Sequence, residues 1–298
     1  MNNTVFDRTK VIKYLIWTFG LAYAIQIGVW LLYKNGLSLI GSLVMAAMMF
    51  VPMLGVLLSG SKLSGMGWNP RIKKNIKPIL IAWFAPAVLT AVGAVLYFLI
   101  FPTHFDMSGN YLVGAVGEEA LAQLEAQGLT YPVYIIISAV SCLTYAPLLN
   151  GALALGEEIG WRGFLYPQLK ARFGRSIGLL LGGVIWGVWH APLIWLIGYE
   201  YGTDYFGYPI VGILLFCVFT IAMGMICDRL YEKSGSIWTP SICHGAVNAA
   251  ATLPLALCLS DTGSARLLGP VPNGLIAGIP FLAAAVIIML RSKKADSV

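Results

Sequence analysis

Long apolar runs recur along the whole chain. Each approaches the roughly 20 residues that an α-helix needs to cross about 30 Å of hydrocarbon. The pattern predicts eight transmembrane helices, at Tyr14–Tyr33, Ser38–Gly60, Pro78–Phe101, Pro132–Leu155, Ile177–Ile197, Gly207–Cys227, Ile237–Cys258 and Pro270–Leu290. We therefore expect an all-α polytopic membrane protein.

Composition supports this class. The 298 residues are 58% hydrophobic and 11% charged, against about 25% charged in soluble domains, and the mean hydropathy is +0.80. One integral membrane domain over residues 1–298 fits better than several soluble domains, with the residues of chemical interest in a core at about 132–258.

The positions of the basic residues predict the orientation of the helices. Lys34 and Arg266 are the exceptions among 19 Lys and Arg residues; all others fall on one side of the eight predicted helices, which the positive-inside rule assigns to the cytoplasm. Both termini are then cytoplasmic, in the cytoplasmic membrane of a prokaryote. The net charge of +6 is spread over several loops, which favours membrane lipid as a partner and not nucleic acid.

Charged residues are rare in this chain, so "GEEIGWRGFLYPQLK" at residues 156–170 stands out. Glu158 and Arg162 are four residues apart and share one helix face, where they can pair. Glu157 points roughly 100° away and is free to face a cavity as a base. The alternative is that all three mark the cytoplasmic end of the fourth helix.

Two of the three histidines lie inside predicted transmembrane helices. His190 is in "WGVWHAPLIW" and His244 in "SICHGAVNAA", four residues before Asn248. Ionisable groups at membrane depth are costly and usually face a cavity or a partner. His244 and Asn248 would present two hydrogen-bond donors on one helix face, although this stretch taken alone favours helix packing through small residues, with Asn248 as an interhelical hydrogen-bond partner.

These groups together meet the needs of a hydrolase. A carboxylate beside a histidine can activate water, and separate donors can stabilise a tetrahedral oxyanion. Ser241 and Cys243 diverge from His244 on a helix, so neither is expected to act as a nucleophile activated by it.

Three motifs resemble those of a known family. The segment "EEIGWR" resembles its E-E-x-x-x-R motif, "HGAVN" its H-x-x-x-N motif, and "WGVWH" its F-x-x-x-H motif with Trp186 in place of phenylalanine. The family is the CAAX protease and bacteriocin-processing group of intramembrane proteases, called CPBP or Abi, which includes the Rce1-type prenyl-protein endopeptidases.

The resemblance implies a role for each matched residue. Glu157 and His190 would hold and activate the water, and His244 and Asn248 would form the oxyanion hole. Glu158 and Arg162 would support the site. It also implies peptide-bond cleavage near the cytoplasmic membrane face, on a membrane-associated or lipidated peptide or protein, without a cofactor.

Three alternatives remain open. Glu157, His190 and His244 could instead supply the ligands of a catalytic zinc ion. The protein could be a non-proteolytic immunity factor or scaffold of the same family. It could also be a proton-coupled transporter that uses these three residues as a relay.

The predicted helix boundaries leave one inconsistency. Glu157 would lie at the membrane surface, whereas His190 would lie roughly 20 Å deep at 1.5 Å per residue from Ile177. Pro147, Gly151 and Gly156 predict a break in the fourth helix that lets the Glu157 segment sit deeper, lining a cavity.

Overall fold

The computed structural model describes residues 4–296, without the side chains of residues 115, 116, 120 and 292–296. It is all-helical and has no β-strand in the described range, which confirms the predicted fold class. The α-helices are α1 Arg8–Lys34, α2 Ser38–Met48, α3 Val51–Leu58, α4 Ile72–Ile100, α5 Asn110–Val116, α6 Glu118–Ala126, α7 Tyr131–Leu143, α8 Ala146–Gly160, α9 Tyr166–Phe173, α10 Arg175–Trp189, α11 Ala191–Ile197, α12 Ile210–Ser234, α13 Trp238–Ala250, α14 Thr252–Ala256 and α15 Ile279–Asp296. One π-helical turn, Trp161–Leu165, joins α8 to α9.

Six of the eight predicted spans correspond to helical segments long and apolar enough to cross a membrane. Four are helices, at Arg8–Lys34, Ile72–Ile100, Arg175–Ile197 and Ile210–Ser234, and two are bent pairs, α2 with α3 and α7 with α8–α9. The chain is therefore an integral membrane protein, but the count of eight is not confirmed. The seventh predicted span is split into α13 and α14. In place of the eighth predicted span, the structure has a shorter apolar helix, Ile279–Arg291.

The break in the fourth span lies earlier than predicted. α7 ends at Leu143, α8 begins at Ala146, and the two segments meet at 56°. Pro147 is in the first turn of α8, where proline is tolerated because its missing N–H would have no helical partner. Helical structure then continues without interruption to Phe173, so Glu157 lies within the helix rather than at its end.

Small residues let the helices that carry the candidate site approach to backbone contact. A Cβ on Gly245 of α13 would lie 2.1 Å from the Gly151 nitrogen of α8, and a Cβ on Gly156 would lie 2.6 Å from the Met49 carbonyl oxygen. Such contacts are typical of packed membrane helices. The glycines of the fourth predicted span therefore serve close packing and do not break the helix.

The basic loops lie together at one end of the helix bundle. Arg175, which begins α10, binds Glu232 near the end of α12 at 2.6 Å, and Lys170 of α9 binds Asp228 at 2.7 Å. Trp238, which begins α13, donates its indole N–H to the Trp68 carbonyl in the loop before α4. We call this the basic end; α8–α9 runs toward it, and α10 and α13 run away from it.

Candidate active site

Glu157 is a buried carboxylate held by two indole groups. Trp161, one helical turn later, and Trp186 of α10 both donate to Glu157 Oε2, at 3.0 and 2.7 Å. The side chain is 2% exposed. No described residue donates a hydrogen bond to Oε1, so one oxygen is anchored and the other is available to a ligand.

Glu158 joins the adjacent polar groups into one buried chain. Its Oε1 accepts hydrogen bonds from Arg162 Nη1 at 3.0 Å and from His244 Nδ1 at 2.9 Å. Glu158 and Arg162 are fully buried. The predicted Glu158–Arg162 pair is thus present, and it extends to His244 on another helix.

The Arg162 guanidinium lies between two aromatic rings. Its Cζ is 4.4 Å from the centre of the Trp186 ring and 4.8 Å from that of Tyr166. Cation–π attraction strengthens when the cation is desolvated. The π-helical turn that contains Arg162 is a feature often found at functional sites.

His190 lies at the junction of α10 and α11, where its Nδ1 is 3.0 Å from the Trp186 carbonyl oxygen. A carbonyl oxygen can only accept, so Nδ1 carries the proton and the neutral ring keeps Nε2 as an acceptor. The ring packs edge-on against Trp189 at 4.7 Å and parallel to Tyr199 at 6.1 Å. These contacts fix both the tautomer and the ring plane.

All four residues with predicted chemical roles line one cavity of about 370 Å³. They are Glu157, His190, His244 and Asn248, and Trp186 lies among them, with its ring centre 5.2 Å from that of His244. Arg162, the supporting cation, lies behind the Trp186 ring. The structure therefore gathers residues from α8, α10 and α13 around one space.

The cavity opens away from the basic end. Glu157, His190 and His244 are at most 8% exposed and form its floor, whereas Asn248 and Thr252 are exposed. Along α13 and into α14, away from the basic end, the cavity-lining residues change from buried His244 to exposed Asn248 and Thr252.

The side of the membrane from which the cavity is reached stays a prediction, as does the side on which the basic end lies. The terminal residues 1–3 and 297–298 lie outside the described residues. The placement of both termini in the cytoplasm stays a prediction.

The alternative zinc site finds little support in the arrangement of its ligands. Within residues 4–296, no three His, Cys, Asp or Glu side chains are grouped so that they could hold a metal ion. Glu157 Oε2 already accepts two indole N–H groups. Glu157, His190 and His244 are thus not grouped as a metal site in the described residues, and metal dependence stays a prediction that the chelator experiment tests.

Sequence reasoning missed the tryptophans as partners of the carboxylate. Trp161 is four residues after Glu157, a spacing that places both on one helix face, and this signal was available. The motif comparison identifies Trp186 only as a replacement of phenylalanine, yet its indole N–H donates to Glu157, which a phenylalanine cannot do. Glu200 and Asn273 also line the cavity and had no sequence signal.

The fold and cavity define an all-helical integral membrane protein with a buried glutamate–histidine site. Residues 139–250, which contain all three motifs, match the sequence model of the type II CAAX prenyl endopeptidase Rce1-like family. This match confirms the resemblance over that segment.

One curated relative is the CAAX prenyl protease 2 of Methanococcus maripaludis, 30% identical over 138 residues. The aligned segment spans 46% of this chain and 46% of that relative. The similarity to this relative therefore covers about half of each protein, whereas the family match at residues 139–250 includes the cavity-lining helices α8, α10 and α13.

Proposed function

We propose that the protein is an intramembrane endopeptidase that hydrolyses a peptide bond with activated water and without a covalent enzyme intermediate. The observation that carries this proposal is the Glu157 carboxylate, anchored through Oε2 and facing a cavity that also receives His190, His244 and Asn248. A base and separate hydrogen-bond donors in one protected space are the requirements of acyl transfer to water.

In the proposed reaction, water binds between Glu157 Oε1 and His190 Nε2. Glu157 takes one proton as the water oxygen bonds to the substrate carbonyl carbon, and His190 accepts a hydrogen bond from the other. Glu157 then gives its proton to the leaving amine nitrogen as the carbon–nitrogen bond breaks. The products are a carboxylic acid and an amine, and the carboxylate is regenerated.

His244 and Asn248 would stabilise the tetrahedral oxyanion. Asn248 has a carboxamide N–H to donate, and His244 needs a proton on Nε2 to do the same. The Glu158 carboxylate on Nδ1 would orient the ring and stabilise its doubly protonated form in the transition state. Arg162 would hold Glu158 for this purpose.

The proposed substrate is a membrane-associated or lipidated peptide or protein. Met45, Met49, Val247 and Leu255 give the cavity an apolar wall suited to a lipid or apolar side chain. The name of the archaeal relative, a CAAX prenyl protease, supports a prenylated substrate. A peptide without a prenyl group is the alternative for this chain.

The test uses purified protein in lipid nanodiscs with two quenched CAAX peptides, one farnesylated and one not. We expect cleavage by the wild type, loss of at least about 100-fold in Glu157→Gln because a general base is worth about 10²–10⁴, and no loss in Glu118→Gln, an exposed carboxylate on α6. Both peptides are also incubated with a zinc chelator.

Each outcome decides between the alternatives. Cleavage that resists the chelator supports the glutamate reaction, whereas chelator sensitivity restored by zinc would support the metal-dependent version. Glu157→Gln with wild-type activity would refute the proposed role of Glu157. No cleavage of either peptide or of a membrane-peptide library would favour the non-proteolytic alternative, or the transporter if proton flux is found in liposomes.

A further inference from the structure

Two hydrogen-bond acceptors lie at the cavity wall beyond the proposed catalytic residues. Glu200 follows α11 and is exposed, whereas Asn273, before α15, is 4% exposed. Asn273 Nδ2 donates to Glu200 Oε2 at 2.7 Å. Both residues line the same cavity as Glu157.

The pair has unused acceptor capacity. Since the amide nitrogen of Asn273 faces the carboxylate, its Oδ1 points elsewhere, and this buried oxygen has no hydrogen-bond partner in the described structure. The side chains of Tyr199 and Asn273 hydrogen-bond to the Glu200 carboxylate, but no described Lys, Arg or His forms an ion pair with it. An exposed carboxylate on the cavity wall that has no ion-pair partner among the described residues favours a ligand that donates hydrogen bonds and carries positive charge.

The backbone holds this pair in place. Glu200 has φ +68°, in the left-handed region that residues other than glycine seldom adopt. The Tyr201 hydroxyl donates to the Asn273 carbonyl oxygen at 2.9 Å and ties the two loops together. The carboxylate is thus positioned by its loop rather than carried on a freely moving segment.

We propose that Glu200 and Asn273 form a subsite that binds a protonated amine or guanidinium group of the substrate. This inference rests on the proposed peptidase function and adds a preference for a basic residue near the cleaved bond. Tyr199, next to Glu200, stacks on His190 at 6.1 Å. Because an extended chain advances roughly 3.3 Å per residue, the basic residue would lie within a few positions of the scissile bond.

The subsite also lies away from the basic end of the bundle. Asn273 precedes α15 on the side of the outer loops, according to the distribution of basic residues. The positively charged substrate group would therefore be recognised on the side of the membrane opposite to the protein's own basic loops, which would otherwise repel it.

The test compares peptide pairs that differ at one position, lysine against norleucine, scanned across the three residues on each side of the cleaved bond. We expect one position at which lysine lowers KM about 10-fold in the wild type. In Glu200→Gln this preference disappears, so that the lysine and norleucine peptides have equal KM values. Glu118→Gln, which removes a carboxylate outside the cavity, keeps the preference.

Binding of the same peptides to Glu157→Gln, followed by fluorescence anisotropy, separates this proposal from the proposed function. Tighter binding of the lysine peptide that is lost in Glu157→Gln/Glu200→Gln supports the subsite even if no peptide is cleaved. Equal binding of both peptides at every position, or a lysine preference unchanged in the double variant, overturns the subsite. Cleavage without a preference for lysine at any position would support the peptidase function and refute the subsite.

Discussion

Trp186 contacts several of the residues proposed to take part in catalysis. Its indole N–H binds Glu157, its carbonyl accepts from His190, and its ring packs against Arg162 and His244. Trp186→Phe keeps an aromatic ring and the backbone carbonyl and removes the 2.7 Å hydrogen bond to the carboxylate. The change therefore isolates one interaction of the proposed base.

The expected loss follows from that bond. A hydrogen bond to a charged group contributes about 1.5–3 kcal/mol, and each 1.36 kcal/mol corresponds to tenfold in rate. We expect kcat to fall about 10- to 160-fold. KM should change less than threefold, because the bond orients the base and does not contact the substrate.

The assay is hydrolysis of the quenched peptide in nanodiscs, with kcat and KM measured separately. Trp68→Phe is the matched control, since Trp68 also donates a 2.7 Å indole hydrogen bond but to a loop carbonyl far from the cavity. A thermal melt of both variants checks folding. If Trp186→Phe has wild-type kcat, or if KM alone rises, the indole does not position Glu157 and the reasoning is refuted.

Two further predictions concern the packing and the direction of the cavity. Gly245→Ala should lower the melting temperature and abolish activity, because the new Cβ would lie 2.1 Å from the backbone of α8. The control Gly20→Ala, whose Cβ would have nothing within 4 Å, should be neutral or slightly stabilising. Equal melting temperatures of the two variants would contradict the close approach of α13 to α8. Thr252→Cys at the cavity mouth should react in intact cells with a maleimide that cannot cross the membrane, and Lys73→Cys only after lysis. All five native cysteines are buried, and the reverse labelling pattern would place the mouth in the cytoplasm.

Much of the fold was accessible from local sequence. Long apolar runs have one stable solution in hydrocarbon, the helix, because every backbone N–H and C=O must be paired internally. The boundaries were less accessible. α13 is buried within the protein rather than facing lipid, and hydropathy alone does not separate a buried helix from one that spans the membrane.

Part of the candidate site could also be predicted from local sequence. Glu158 and Arg162, or His244 and Asn248, share a helix face through spacing alone, and this required no knowledge of the fold. The hydrogen bond from Trp186 to Glu157 joins α10 to α8, and the bond from His244 to Glu158 joins α13 to α8. No local pattern specifies contacts between such distant positions.

The sequence by itself determined the membrane class, the all-helical fold and the residue types available for chemistry, because hydropathy and helical periodicity act over one or two turns. The tertiary structure decided which carboxylate oxygen is free, where the bend in the fourth span lies, and at which end the cavity opens. It also brought Glu200 and Asn273 together. These properties depend on how glycine-lined helices pack across long sequence separations, where small residues permit an approach but do not specify the partner.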